Sequence, residues 1–292
     1  MGITTVAVIG AGAMGSGIAN QVALSGFQVI LHDVKDQFLE RGMARINKFM
    51  DKSISKGKLT VEQKMDVLES IKTTTDLHDL HQVDLVIEAV VEDLDIKKEV
   101  FSKLDKIVPE HTFLTSNTSS MSITALAAAT ERPEQVAGMH FFNPAQIMKL
   151  VEIVRGLKTN DETMEMLKGF SHDINKEYVE VKKDTPGFIV NRIMIPQFIE
   201  AIKLVEEGVA SPEDIDKAVQ LGLNYPMGPF TLQDYAGIDI GYHVMEYFKE
   251  EFNDDRFAPP LLLKQMIRAG LFGRKTGAGF YDYKNNSNGG RR

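Results

Sequence analysis

The short apolar run Thr5–Ile9 passes directly into Gly10-Ala11-Gly12-Ala13-Met14-Gly15, and helical spacing begins at once, with Met14, Ile18 and Val22 at i, i+4 and i+8. Glycines in that register mark a chain that turns tightly out of a strand and into a helix. The backbone N–H groups at the helix N-terminus are then open to an anion such as a pyrophosphate. Gly26 stops the helix, and Gln28–His32 reads as a second strand closed by Asp33. A carboxylate at that position accepts hydrogen bonds from a ribose 2′-hydroxyl and repels a 2′-phosphate. The spacing therefore predicts a dinucleotide cradle at Gly10, Gly12, Ala13, Met14, Gly15 and Asp33, with NAD favoured. Lys35 lies two residues on and keeps NADP as the alternative. The competing reading is a glycine-rich turn that holds no ligand.

Further strands are predicted at Asp84–Glu88, Thr112–Ser116, Val136–His140, Lys149–Val154 and Tyr178–Val181, with helices between most of them. Such alternation is the pattern of an α/β domain built on a mainly parallel sheet. Two helices should follow Asp33. One carries Leu39, Met43, Ile46 and Met50 on one face, and the other opens with a capping box, Thr60-Val61-Glu62-Gln63. Between them Asp51–Lys58 reads as a polar, lysine-rich turn. Strand signals nearly vanish after Asp184-Thr185-Pro186-Gly187. Phe188–Glu207 is helical in pattern, with Pro196 expected to kink or interrupt it, and Ser211-Pro212-Glu213-Asp214 is a strong helix start. The expected organisation is an α/β domain over residues 1–185 and a smaller all-helical domain over 186–292, with a frayed tail from Asn285.

The formal net charge of −8 argues against wholesale binding to nucleic acid or an anionic membrane. The absence of cysteine excludes disulfides, thiolate metal sites and a cysteine nucleophile, and no metal site is expected. No apolar run approaches the ~18 residues of a membrane span. The first residues lack the basic n-region of a secretory signal, so a cytoplasmic location is expected. Within this acidic chain Lys52, Lys56 and Lys58 stand out, either as a solvated loop or as a grip for an anion.

Of the seven histidines, His78, His81, His111 and His172 fall in polar surroundings, His32 sits beside Asp33, and His243 lies in a helical pattern. His140 differs because it ends a predicted strand, where open α/β sheets place their ligands. The next strand carries Glu152 within Leu150-Val151-Glu152-Ile153-Val154, and a carboxylate in such a stretch is costly to bury unless paired. If the strands fold back about Gln146, His140 and Glu152 lie opposite each other. They would form either a structural pair or an acid/base dyad. Ser116-Asn117-Thr118-Ser119-Ser120 should reach the same sheet edge. Its rival role is to cap the next helix through Ser119, Ser120 or Ser122.

Taken in order, GAGAMGSG (10–17), SNTSS (116–120), GMHFFNP (138–144), VEIV (151–154), DTPGFIVNR (184–192) and GRKTGAGFY (273–281) resemble the 3-hydroxyacyl-CoA dehydrogenase family, especially its short bacterial 3-hydroxybutyryl-CoA members. The resemblance runs from about residue 4 to residue 283. It implies a Rossmann-like, mainly parallel sheet domain followed by a smaller all-helical domain, NAD as cofactor, an acyl-CoA substrate and a homodimer. It further implies that His140 is the catalytic base, Glu152 its partner, Ser119 a contact of the substrate oxygen and Asn191 a holder of the thioester. Glu92, Lys97, Asn143 and Lys275 match positions near the cofactor, and Lys52 and Lys56 match lysines that meet the nucleotide end of CoA. Met139, Gln146 and Thr231–Tyr235 depart from the family pattern. Two other readings use the same scaffold: a dehydrogenase of free hydroxy acids such as L-gulonate, and a non-enzymatic NAD-binding protein.

Overall fold

A computed structural model describes residues 2–284; the tail from Asn285 lies outside the described residues. The chain divides into two compact units, one up to Phe188 and one from Ile189 onward.

The first unit is built on an eight-stranded sheet of order β3-β2-β1-β4-β5-β6-β7-β8. Its strands are β1 (Thr5–Ile9), β2 (Gln28–His32), β3 (Ile71–Thr74), β4 (Leu85–Glu88), β5 (Phe113–Ser116), β6 (Val136–Phe141), β7 (Leu150–Arg155) and β8 (Glu177–Val181). The first six run parallel, while β7 and β8 run the opposite way. The helices are α1 (Ala13–Leu24), α2 (Asp36–Ser55), α3 (Val61–Glu69), α4 (Leu94–Ile107), α5 (Ile123–Ala127) and α6 (Asp161–Asp173). Strand β1 explains the layering. Val6 and Val8 enter a core shared with α1, α2 and α6, whereas Ala7 and Ile9 enter the opposite core with α4 and α5. A strand covered on both faces is apolar throughout, which is why Thr5–Ile9 reads as a continuous run.

Strand β3 escaped the sequence reading because it lies at the sheet edge and buries only Ile71 of its four residues. The lysine-rich turn needs correction. Helix α2 continues through Asp51–Ser55, so Lys52 lies in its last helical turn and Lys56 is its C-cap. A Schellman motif ends it: Gly57 N–H donates to Ile54 O, Lys58 N–H donates to Ser53 O, and Gly57 takes a positive φ. Cations at a helix C-terminus also favour extension. The expected capping box at Thr60 and Gln63 is present, each residue bonding the other's backbone N–H.

The second unit packs α7 (Val190–Glu206), α8 (Pro212–Gly222), α9 (Pro229–Ala236), α10 (Ile238–Phe252) and α11 (Leu261–Arg268) around Phe198, Ile202, Phe230, Met245 and Phe248. Helix α7 runs through Pro196 without interruption. Two buried carboxylates tie this unit together. Asp216 accepts from Phe230 N–H, Thr231 N–H and the Tyr281 hydroxyl; Asp234 accepts from Phe280 N–H, Tyr281 N–H and the Tyr283 hydroxyl. Burial, and then the bond to Asp216, pushes the Tyr281 phenol well above its usual range. Among the described residues, no helix is long and apolar enough to cross a membrane.

Candidate active site

The glycine turn lies at the C-terminal edge of β1, where β2 and β4 diverge in sequence order. Two of its glycines are consumed by packing. A side chain on Gly10, which has φ +103°, would start 2.6 Å from Ala89 O, and one on Gly15 would start 1.7 Å from Gly10 O. Gly12 is different: a Cβ built there meets nothing within 4 Å, so the turn faces open space. Gly12 is also the N-cap of α1, offers no side chain to the first turn, and is followed by no acid there. Ala13, Met14 and Gly15 therefore present helix-start N–H groups toward an anion. Asp33 braces the turn, accepting from Ala11 N–H at 2.7 Å and from Val34 N–H at 2.7 Å. A carboxylate has about four lone-pair sites, so these bonds leave capacity for a ribose hydroxyl. The residues fit NAD.

His140 and Glu152 face each other across the antiparallel β6–β7 pair. His140 Nδ1 lies 2.7 Å from Glu152 Oε2, and both side chains are buried. A carboxylate acceptor places the proton on Nδ1 and leaves Nε2 as the nitrogen with the lone pair. Phe142 and Phe188 pack against the ring, with centroids at 4.6 and 5.6 Å, and limit how far it can turn.

A second network, buried at Glu88, Lys97 and Ser116, links the loops after β4 and β5. Lys97 Nζ meets Glu88 Oε1 at 2.7 Å and Glu92 Oε2 at 3.3 Å. Glu88 also accepts from Ser116 Oγ at 2.6 Å and from Val90 N–H at 2.7 Å. Glu92 Oε1 in turn accepts from Ser119 N–H at 3.0 Å and from the Thr118 hydroxyl. Lys97 is enclosed and holds Glu92, while Glu92 holds the Ser119 backbone. The cap of α5 is Ser122, which accepts from Ala125 N–H at 3.2 Å, so Ser119 is not committed to capping. Asn117 accepts from Phe141 N–H at 2.9 Å, tying the serine loop to the end of the histidine strand.

The structure thus gathers the glycine turn, Asp33, Glu92, Lys97, Ser119, His140, Glu152 and Asn143 in the first unit. Asn191 is the second residue of α7, and Lys275 makes an ion pair with Asp239 at 2.5 Å; both belong to the helical unit. Sequence reasoning missed Glu88, although it ends an apolar strand much as Glu152 sits within one, and an acid in such a run is the signal that singled out Glu152. It also missed a feature of α2. Arg41, Arg45, Lys48, Lys52 and Lys56 recur at spacings of four, three, four and four, and all are exposed. That spacing places them on one face of the helix. Reading Lys52 as part of a turn concealed the repeat.

An open glycine turn at the switch point of a doubly wound sheet, with a carboxylate-held imidazole in the same unit, is the architecture of an NAD-dependent dehydrogenase. The family model of the 3-hydroxyacyl-CoA dehydrogenase NAD-binding domain matches residues 5–185, and that of the family's C-terminal domain matches residues 187–283. The chain belongs to the 3-hydroxyacyl-CoA dehydrogenase family and is an NAD-dependent oxidoreductase. It is 49% identical over 276 residues to a probable 3-hydroxybutyryl-CoA dehydrogenase of Deinococcus radiodurans, covering 94% of this chain and 99% of that one. It is 45% identical over 278 residues to the 3-hydroxybutyryl-CoA dehydrogenase of Clostridioides difficile, covering 95% and 99%. The crystal structure of (S)-3-hydroxybutyryl-CoA dehydrogenase from Ralstonia eutropha superposes with a TM-score of 0.93 at 44% identity, covering 97% of this chain and 100% of that chain.

Proposed function

We propose that the protein interconverts (S)-3-hydroxyacyl-CoA and 3-ketoacyl-CoA, with 3-hydroxybutyryl-CoA as the favoured substrate, and that His140 and Glu152 are its acid/base dyad. The observation that carries the mechanism is the 2.7 Å bond between Nδ1 and Glu152, in the same unit as the dinucleotide cradle. Glu152 holds the ring in the tautomer whose Nε2 accepts the C3 hydroxyl proton during oxidation. It then faces the imidazolium, which its negative charge favours. NAD, when bound, accepts the hydride from C3. Ser119 hydrogen-bonds the substrate oxygen, from a backbone that Glu92 holds in place. Asn191 holds the thioester, Asn143 and Lys275 contact the cofactor, and Lys52 and Lys56 take the phosphates of CoA. Residues 1–185 serve as the dinucleotide-binding domain, and 186–292 as the substrate and dimerisation domain of a cytoplasmic homodimer. The names of the relatives support the four-carbon substrate.

The test is an assay of acetoacetyl-CoA and longer 3-ketoacyl-CoAs with NADH and with NADPH, run alongside His140→Gln. Turnover should be fastest with acetoacetyl-CoA and NADH. The variant should lose roughly 10²–10⁴-fold in kcat, the usual worth of acid–base catalysis, and keep its affinity for NADH. A loss below about tenfold would remove His140 from the chemistry.

A further inference from the structure

Asn20 lies midway along α1, is 1% exposed, and has no partner for either its Nδ2 or its Oδ1. Among the described buried side chains, no other carboxamide leaves both its donor and its acceptor unmet. A buried polar group left unsatisfied has given up its water without gaining a partner, which is costly. An arrangement that retains two such groups on one residue is suited to an occupant that supplies both partners.

The place is a cavity of about 190 Å³ lined by Ser16, Gly17 and Asn20 of α1, Arg45 of α2, and Asn143 and Gln146 of the loop after β6. Its wall depends on a close approach. A Cβ on Gly17 would fall 2.6 Å from Gln146 Oε1 and 3.3 Å from Ala145 Cβ, so a larger residue there would displace the Gln146 side chain and press on the loop. The cavity also has two distinct neighbours. The loop that forms one wall leaves β6 just after His140, and Asn143 is only three residues from it. On the other wall, Arg45 lies seven residues before Lys52 on the same helix face, a rise of about 10 Å along α2.

We propose that this cavity is a subsite for the pantetheine arm of the substrate, with the Asn20 carboxamide exchanging hydrogen bonds with one of the arm's two secondary amides. The inference rests on the acyl-CoA reading. If the thioester is at His140 and the phosphates are at Lys52 and Lys56, the arm runs between two elements that both line the cavity, the loop after β6 and α2. A secondary amide offers one N–H and one C=O, the complement of Oδ1 and Nδ2.

The experiment compares Asn20→Leu and Asn20→Ala with the parent protein on four thioesters: acetoacetyl-CoA, acetoacetyl-pantetheine, acetoacetyl-N-acetylcysteamine and ethyl acetothioacetate, which has no amide. Asn20→Leu should raise KM for CoA and pantetheine substrates by roughly tenfold, the loss expected for a pair of hydrogen bonds, with kcat changed little. KM for the ethyl thioester and the affinity for NADH should not move. Asn20→Ala removes both groups without adding apolar bulk, so it should give a similar rise and serves if the leucine variant folds poorly. An equal effect on all four thioesters, no effect on any, or weakened NADH in place of the thioesters overturns the assignment, leaving the cavity to water or to the cofactor. Absence of turnover of acetoacetyl-CoA by the parent protein would instead defeat the acyl-CoA reading itself.

Discussion

At the scale of single residues, Glu152 should matter through charge. Glu152→Gln preserves the volume but removes the favourable interaction with the imidazolium, so kcat should fall and its pH profile should shift. The sign in each direction follows from the proton. Oxidation needs neutral His140 and should quicken as pH rises; ketone reduction needs the protonated ring and should quicken as pH falls. Parallel profiles in the two directions would contradict the role. His32 supplies a separate test. Its burial outweighs the nearby Asp33 charge and holds the imidazole below its ordinary value of 6.5. The unfolded chain therefore binds a proton that the folded chain resists, and stability falls as pH drops below 6.5 toward the folded value. The urea midpoint should decline between pH 7.5 and 5.5, and His32→Gln should flatten that decline. An equal decline in the variant would place the titrating group elsewhere. The His140–Glu152 pairing was legible because an acid within an apolar strand has few places to go. Asn20 was not, since nothing in a helical Ile-Ala-Asn-Gln says which neighbours will leave the amide unpaired.

Elements were legible in proportion to their burial. Strands β1, β4 and β6 are enclosed by both cores and are almost wholly apolar apart from Glu88 and His140 near their ends, whereas β3 has one buried residue and resembles a loop. Helix α2 shows the opposite difficulty: its buried face was read correctly, but its final turn is polar and passed for a connection. The segment after β6 depends on a residue far away in sequence. Lys176, just before β8, donates to Ala145 O at 2.7 Å and to Met148 O at 2.8 Å, and burial lowers its affinity for a proton. Lys176→Met fills a similar volume but leaves both carbonyls without that donor. It should destabilise the protein by about 1–3 kcal/mol and speed amide hydrogen exchange in residues 145–148. Destabilisation without faster local exchange would show that the lysine supports the fold generally rather than this loop.

For the molecule as a whole, the helical unit leaves several large apolar side chains exposed, Ile193, Leu221, Leu223 and Leu261 among them. Phe188–Val190, Ile193–Ile195 and Leu261–Leu263 are apolar clusters in this half of the sequence. The structure divides these groups: Phe188, Ile195 and Leu263 are buried, whereas Ile193 is 58% and Leu261 60% exposed. Ile193 also borders an apolar groove of about 600 Å³ that includes Met194, Leu204, Val219, Leu223 and Tyr225. A contiguous patch of this kind favours a symmetric contact with a second copy. Light scattering should report twice the chain mass of 32.6 kDa, and Ile193→Glu should shift the population toward monomer. A parent protein that scatters as a monomer at micromolar concentration would overturn the dimer. Periodicity located these apolar residues, but only the packed helices separate those that fill the core from those left outside it.

Asp33 carries a consequence for redesign. The carboxylate suited to discriminating between the two coenzymes is also the acceptor for Ala11 N–H within the glycine turn. Coenzyme exchange by a single substitution here would therefore trade recognition against scaffold. Asp33→Ala would relieve repulsion of a 2′-phosphate while removing a brace from the turn that receives the pyrophosphate. A successful conversion to NADP would need a neutral acceptor at that position, such as asparagine or serine, with the compensating cation introduced further along. Variants that remove the acceptor as well as the charge would weaken both coenzymes together.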